Sequence, residues 1–171
     1  VEVLAAPQTD AVAMLHAGRA QLALVFERPS IDGREGFEEV GSEVLIAVIA
    51  PHHPLLTQTS APLLGEEHLT TTRQIVVASR DGTQTDPRFV FARHHWRTDN
   101  HLAALGLIEA GLGWGWQPRA LAEPRIQAGT LAEMHFANLS NGVSLWVDVV
   151  WSKERPLGLG ARRFVQLMTG Q

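Results

Sequence analysis

Four short, mostly apolar runs punctuate the chain, and segments with helical or loop-like patterns separate them. A short apolar run bounded by polar residues is typical of a strand that is buried on both faces, as in a sheet covered by helices. Because these runs alternate with helical patterns, the sequence predicts an α/β protein with mainly parallel sheets. The runs lie at residues 22–26, 44–50, 74–78 and 145–151.

The clearest predicted helix follows Asp99 and Asn100, whose side chains can cap a helix start, and it ends at Gly111. Its apolar residues recur at helical spacing and are Leu102, Leu105, Ile108 and Leu112. Weaker patterns predict helices near residues 10–18, 65–69, 119–127 and 159–168, and strands at residues 1–5, 89–96 and 113–117. A charged stretch with several glycines, residues 28–42, is predicted to be a surface connection.

The composition excludes several classes of function. The chain has 171 residues, no cysteine and no tyrosine, so disulfide frameworks, thiol nucleophiles and phenolic acids or bases are absent from it. Its net charge is −4, and its 14 basic residues are scattered rather than clustered. Domains that bind nucleic acid usually carry a basic face, so we do not expect these residues to bind nucleic acid directly.

Features of export or membrane insertion are not seen in the sequence. No apolar stretch approaches the roughly 18 residues of a membrane-spanning helix, and no basic start precedes an apolar run. We therefore expect a cytoplasmic protein with no membrane partner. The chain starts at Val1 with the pattern of a strand, so we interpret it as an internal or C-terminal piece of a longer protein.

We find no residue pattern that favours catalysis or metal binding. The pairs His52-His53 and His94-His95 would each point to opposite faces of a strand, so neither pair chelates a metal. The glycines of residues 111–115 follow a predicted helix instead of opening one, which is the wrong context for a dinucleotide-binding loop. The sequence therefore predicts no enzyme activity, no metal and no cofactor.

Three polar segments lie where a predicted strand ends or a predicted helix begins, at residues 7–10, 79–82 and 98–100. In α/β proteins, ligands collect at the carboxyl ends of strands and at helix N-termini. The polar side chains of these segments could bind a ligand or could merely cap helices, and the sequence leaves both open. Trp114 and Trp116 share one strand face, either in the core or in the wall of a pocket for an aromatic or apolar effector.

The order of these segments resembles the effector-binding domain of LysR-type transcriptional regulators. The most specific stretch is LGLIEAGLGWGWQP at residues 105–118, which is similar to the family's block of helix, glycine pair, strand and proline. The strand at 44–50, followed by Pro51 and His53-Pro54-Leu55, and the sequence LHAGR at 15–19 also fit.

The sequence departs from the family in two places. Gln21 stands where the family usually has aspartate, and Trp114, Trp116 and Gln117 replace residues that are often small or aliphatic.

The resemblance implies a two-lobed, type 2 periplasmic-binding-protein-like fold, with a mainly parallel sheet and flanking helices in each lobe. One lobe would comprise residues 1–47 and 137–171, and the other residues 48–136. The first strand and helix of this domain, and the family's winged helix-turn-helix, would lie before Val1.

The resemblance also implies a small effector, such as an organic acid or an aromatic metabolite, in the cleft between the lobes. The protein would be a homodimer or homotetramer that contacts promoter DNA only through the N-terminal domain. Arg80 would suit an anionic group, whereas Glu27 or Asp99 would disfavour one, so the charge of the effector stays open. The expected effector-binding residues are Gln8, Thr9, Phe26, Glu27, Ser79, Arg80, Thr98, Asp99, Asn100 and Trp116.

Two other functions are compatible with this fold. A solute-binding receptor of a transport system would have an export signal upstream. An enzyme would need acid–base residues that converge in the cleft, and no such set is evident in the sequence. A sensing domain without catalysis is the interpretation that the sequence favours.

Overall fold

The structure, a computed structural model, describes residues 1–27, 33–58, 63–78, 86–137 and 140–170. The chain forms two compact units. The first unit comprises Val1–Glu43 and Ser144–Gln171, and the second comprises Val44–Val143. The lobe boundaries that the resemblance implies stay a prediction.

Helices and strands alternate along most of the described chain, which confirms the α/β class. The elements are α1 (Gln8–His16), β1 (Ala23–Phe26), β2 (Glu35–Ile49), α2 (Pro54–Gln58), α3 (Glu66–Thr71), β3 (Gln74–Val77), β4 (His95–Thr98), α4 (His101–Glu109), β5 (Trp114–Pro118), α5 (Arg119–Gln127), β6 (Ala132–Glu133), β7 (Val143–Ser152) and α6 (Leu159–Thr169), with a 3₁₀ helix at Pro87–Phe89.

In the first unit, β1 pairs antiparallel with β7, and β7 lies next to β2. Helix α1 buries Leu15 against Val25 of β1 and Val150 of β7. Helix α6 buries Ala161 and Val165. The polar start of α1 is therefore fixed beside the carboxyl end of β1 by a small apolar core.

In the second unit, the strand order is β2-β5-β3-β4, and β6 pairs with β2. Strand β3 pairs parallel with both β4 and β5, whereas β2 pairs antiparallel with β5. The pairing within this unit is therefore mixed. Because β3, β4 and β5 run in the same direction, their carboxyl ends meet at one edge of the sheet.

Both faces of this sheet are covered. One face carries a core of Ile46, Val48, Ile75, Ala104, Leu105, Ile108, Ala122 and Leu131. The other face carries Ala47, Ile49, Leu64, Leu69, Trp114 and Met134. Burial on two faces explains why β3 and the end of β2 have almost no polar residues.

The glycines that precede and enter β5 are required either by the backbone conformation at the end of α4 or by close packing. Gly111 ends α4 with φ of 75°, in the left-handed region that favours glycine. A Cβ at Gly113 would lie 2.5 Å from the backbone oxygen of Arg73, and one at Gly115 would lie 2.6 Å from that of Ile75. The prediction that these three glycines serve a helix stop and close packing is confirmed.

The strand predicted at residues 1–5 is wrong. Residues 1–6 are exposed and have no helix or strand. A strand needs a neighbour that pairs with its N–H and C=O groups. Among the described strands, none pairs with this segment.

The strand predicted at residues 89–96 is wrong over most of its length. Pro87 starts a 3₁₀ helix, which Asp86 caps by accepting a hydrogen bond from the Arg88 N–H at 3.0 Å. The N–H groups of Phe91 and Ala92 then donate to the Gln74 side chain, so they are not available to a strand ladder. Only the end of the predicted segment enters β4.

The surface connection predicted at residues 28–42 is wrong from Glu35 onward, because β2 starts there. Its first half alternates in exposure: Gly36 is buried, whereas Phe37, Glu39 and Gly41 are exposed. Charged residues and glycines on the exposed side conceal this half-buried strand in the sequence. Residues 28–32 lie outside the described chain.

Candidate functional site

In the first unit, the side chain of Gln8 joins the start of α1 to the end of β1. The Phe26 N–H donates to Gln8 Oε1 at 2.8 Å, and Gln8 Nε2 donates to the Glu27 backbone oxygen at 3.5 Å. Three of the residues expected at the effector site, Gln8, Phe26 and Glu27, are thereby brought together.

The backbone turns sharply at Glu27. Its φ is 36°, a value that non-glycine residues rarely adopt and that costs of the order of 1–3 kcal/mol. The Glu27 N–H donates to the backbone oxygen of Trp146 at 2.9 Å, and its own backbone oxygen accepts from Gln8. These two contacts hold the strained turn at the end of β1, where such strain is commonly functional.

Thr9 and Asp10 do not cap α1, so the capping interpretation of these two residues is wrong. The helix begins at Gln8, its N-cap is Pro7, and no side chain caps it. Thr9 lies inside the first turn, and its Oγ1 is buried without a hydrogen-bond partner in the structure. The first turn of α1 therefore contains a hydroxyl without a hydrogen-bond partner. It also contains backbone N–H groups that have no acceptor within the helix.

In the second unit, Thr98, Asp99 and Asn100 connect β4 to α4. Asn100 is the N-cap: its Oδ1 accepts from the Ala103 N–H at 2.8 Å, and its Nδ2 donates to Asp99 Oδ1 at 2.9 Å. The capping interpretation of Asn100 is confirmed. Thr98 lies beside the end of β3, because its backbone oxygen accepts from the Ala78 N–H at 2.9 Å.

Ser79 and Arg80 lie outside the described residues. The last described residue before them, Ala78, is buried at the carboxyl end of β3. Their roles stay predictions.

Trp116 belongs to an aromatic cluster of the second unit. Its ring centroid lies 6.2 Å from that of Phe89, 6.0 Å from that of Phe91 and 6.2 Å from that of Trp114. Trp114 is fully buried and donates from Nε1 to the Thr72 backbone oxygen at 3.2 Å, as a core residue does. Trp116 differs, because its Nε1 is buried and has no acceptor in the structure.

Sequence reasoning missed Gln117 and His101 as site candidates. Gln117 has 0% exposure, and its Oε1 lies 3.0 Å from Nδ1 of His101, the first residue of α4. Its Nε2 is buried and has no partner in the structure, although an unmet buried donor costs about 1–3 kcal/mol. The sequence feature that could have identified Gln117 is its polar amide in a strand whose other residues are apolar.

The charges of the described site residues are negative, from Glu27 and Asp99. Arg119, directly after β5, is held by Glu133: two hydrogen bonds of 3.0 and 3.2 Å join the guanidinium to the carboxylate. These bonds raise the pKa of Arg119 above its ordinary value. The guanidinium of Arg119 is thus engaged within the second unit.

The described residues contain no group of three or more His, Asp or Glu side chains arranged to hold a metal ion. In the same part of the chain, no helix is long and apolar enough to cross a membrane.

Each unit thus sets polar groups where a strand ends and a helix begins, on an α/β fold of the type 2 periplasmic-binding-protein-like class. Two solved structures share this fold. The regulatory domain of CcmR from Synechocystis PCC6803, in complex with 2-PG, has a TM-score of 0.73 at 12% identity, with 96% of this chain and 79% of that chain covered. Full-length LysG from Corynebacterium glutamicum, with bound effector Arg, has a TM-score of 0.66 at 15% identity, with 96% and 55% covered.

The family described as the LysR substrate binding domain matches residues 1–171, and the chain belongs to it. The chain is also 42% identical over 163 residues to the HTH-type transcriptional regulator AceR of Acinetobacter baumannii. That match covers 95% of this chain and 54% of AceR, so the chain spans about half the length of this relative. The family and fold expected from the sequence are confirmed.

Proposed function

We propose that the chain is the ligand-sensing domain of a LysR-type transcriptional regulator. It binds a small-molecule effector, and binding changes how the full-length protein engages promoter DNA through a separate helix-turn-helix domain. The protein acts in the cytoplasm as a homodimer or homotetramer, without catalysis. The observation that carries this proposal is the presence, in each unit, of a helix start beside a strand end with unsatisfied or polar side chains there.

The effector contacts come from both units in this proposal. Gln8, Thr9, Phe26 and Glu27 supply the first unit's part, and the second unit supplies Ser79, Arg80, Thr98, Asp99, Asn100 and Trp116. The first turns of α1 and α4 add backbone N–H donors and the positive ends of two helix dipoles.

Binding energy becomes a signal only through differential affinity. An effector that prefers one arrangement of the protein shifts the population toward it, and an effector that binds all arrangements equally shifts nothing. A coupling of about 1–3 kcal/mol is typical and changes an affinity about 5- to 150-fold. A sensing domain therefore needs no reactive residue, only contacts that differ between two states.

A regulator is favoured over a transport receptor because the 42% identical relative AceR is a transcriptional regulator. The bound molecules named for the two solved structures, 2-PG and Arg, belong to those proteins. They differ in charge, so the fold alone does not fix the charge of an effector.

Thermal denaturation of the chain with a panel of metabolites tests the proposal. We expect at least one organic acid or aromatic metabolite to raise Tm in a concentration-dependent way. The same compound should change the affinity of the full-length protein for its promoter. A full-length protein that binds no panel compound, with promoter affinity unchanged by all of them, would contradict the proposal.

A further inference from the structure

Gln117 lies at the sheet edge where the carboxyl ends of β3, β4 and β5 meet. It is the penultimate residue of β5, which runs parallel to β3. Its side chain reaches His101, the first residue of α4, across the end of β3 in the strand order β5-β3-β4. The amide of Gln117 therefore lies beside the first turn of α4.

The hydrogen-bonding capacity of this amide is half used. Nδ1 of His101 lies 3.0 Å from Gln117 Oε1. Because an amide oxygen only accepts, this hydrogen bond requires the Nδ1–H tautomer of His101. The Nε2 amino group has no acceptor in the structure, although the side chain has 0% exposure. By contrast, Gln74 is equally buried and fully engaged: its Nε2 donates to Phe89, and its Oε1 accepts from Phe91 and Ala92. The unmet donor of Gln117 is thus not a general property of buried glutamines in this unit.

The first turn of α4 adds donors on the same side. The initial N–H groups of a helix have no intrahelical acceptor, and the Asn100 cap takes that of Ala103. A buried amide N–H₂ next to a helix N-terminus favours a group that only accepts hydrogen bonds and that is neutral or negative.

We infer that Gln117 determines effector specificity, by donating from Nε2 to an acceptor oxygen of an effector bound at the first turn of α4. This inference rests on the proposed function and narrows its ligand class to compounds that carry a carboxylate or a carboxamide oxygen. A compound that carries only hydrogen-bond donors at this position should bind weakly. It would leave Gln117 Nε2 and the N–H groups of the first turn without an acceptor.

Three probes of nearly identical shape test the ligand class: benzoate, benzamide and benzamidinium. They present two acceptors, one acceptor and no acceptor, respectively, on the same ring. By calorimetry or NMR titration, we expect the chain to bind benzoate and benzamide at least tenfold more tightly than benzamidinium. Equal or tighter binding of benzamidinium, or binding of none of the three, overturns the inference.

Two substitutions then assign the effect to Gln117. Gln117→Met keeps the side-chain length and should weaken benzamide binding about tenfold, equivalent to about 1.4 kcal/mol, with Tm unchanged or raised. Gln117→Glu should reverse the order in favour of benzamidinium. The matched control Gln74→Met should lower Tm without changing the ratio of probe affinities.

A different result would identify Gln117 as a structural residue whose Nε2 donates to a buried water. In that case, Gln117→Met lowers Tm as Gln74→Met does and leaves the affinity ratio unchanged, which overturns the inference. A panel metabolite that binds Gln117→Met and the unaltered chain equally would also overturn it, while leaving the proposed function intact. Failure of the proposed function is distinct, because then no panel metabolite binds the unaltered chain.

Discussion

The backbone N–H of Phe26 donates to the side-chain Oε1 of Gln8 at 2.8 Å, so that the last residue of β1 is tied to the first residue of α1. The strained turn at Glu27 follows directly and shares this amide. A single glutamine side chain thus shapes the strand end that we propose as part of the effector site.

We expect Gln8→Ala to lower the free energy of unfolding by about 1–2 kcal/mol, because the part-buried N–H of Phe26 loses its acceptor. Effector affinity should fall as well. Gln8→Glu is the matched control, since a carboxylate oxygen can still accept from Phe26. Denaturant unfolding curves measure both variants, and equal stability of Gln8→Ala and the unaltered chain would show that the hydrogen bond contributes nothing.

Gly115→Ala should lower the free energy of unfolding of the second unit by more than about 1 kcal/mol, as is typical when extra atoms are forced into a packed core. Its Cβ would lie 2.6 Å from the Ile75 backbone oxygen and 3.0 Å from Ile108 Cδ1. Gly106→Ala is the control, because nothing lies within 4 Å of a Cβ there and the residue sits inside α4. That control should gain about 0.5–1 kcal/mol from helix propensity. Similar changes in Tm for the two variants would contradict the close approach of β5 to β3.

The stability of the chain should fall as the pH drops below the ordinary histidine pKa of 6.5, in part because of His53. Burial, and then the neighbouring His52, lower the pKa of His53 in the folded chain. The unfolded chain consequently takes up the proton first as the pH falls, and the folded state loses stability relative to it. Neutral His53 also accepts a hydrogen bond at Nδ1 from the Leu55 N–H at 3.1 Å.

His53→Asn removes this titration and keeps an acceptor for Leu55. Its unfolding free energy should depend less on pH between about 5 and 7 than that of the unaltered chain. The exposed His135 provides the control substitution His135→Asn. If both variants show the same pH dependence, His53 is not the group responsible.

Asn100 both caps α4 and lies among the proposed effector contacts, and two substitutions separate these roles. Asn100→Ala should cost about 1 kcal/mol of stability, because the Ala103 N–H loses its acceptor. Asn100→Ser retains a good cap and should unfold at nearly the same denaturant concentration as the unaltered chain. If Asn100 contacts the effector through its amide, Asn100→Ser nevertheless weakens binding. Unchanged affinity in Asn100→Ser would assign the residue to capping alone.

The sequence pattern predicted elements that are buried on both faces or that carry clear start and stop signals. Strand β3 and helix α4 are examples, with Gly111 ending the helix as expected. It failed where tertiary partners decide the structure. Phe91 belongs to an apolar run, yet its N–H goes to the Gln74 side chain, a contact 17 residues away that no local pattern reveals.

The candidate site was predicted to a similar extent. Gln8 and Asn100 could be predicted because each is a polar residue where the sequence pattern ends a strand or starts a helix. Gln117 was missed, because the donor state of a buried amide depends on its distance from His101 in α4. Strain at Glu27 was equally invisible, since φ of 36° follows from contacts with Gln8 and Trp146.

Effector binding at the polar strand ends and helix starts of the chain is tested most directly by a ¹⁵N NMR titration with a compound found in the metabolite panel. We predict that the backbone signals of Gln8 and Thr9 in the first unit shift together with those of Thr98 and Asn100 in the second. All four should follow a single dissociation constant. Shifts confined to one unit, or two sets of signals with different dissociation constants, would contradict the account.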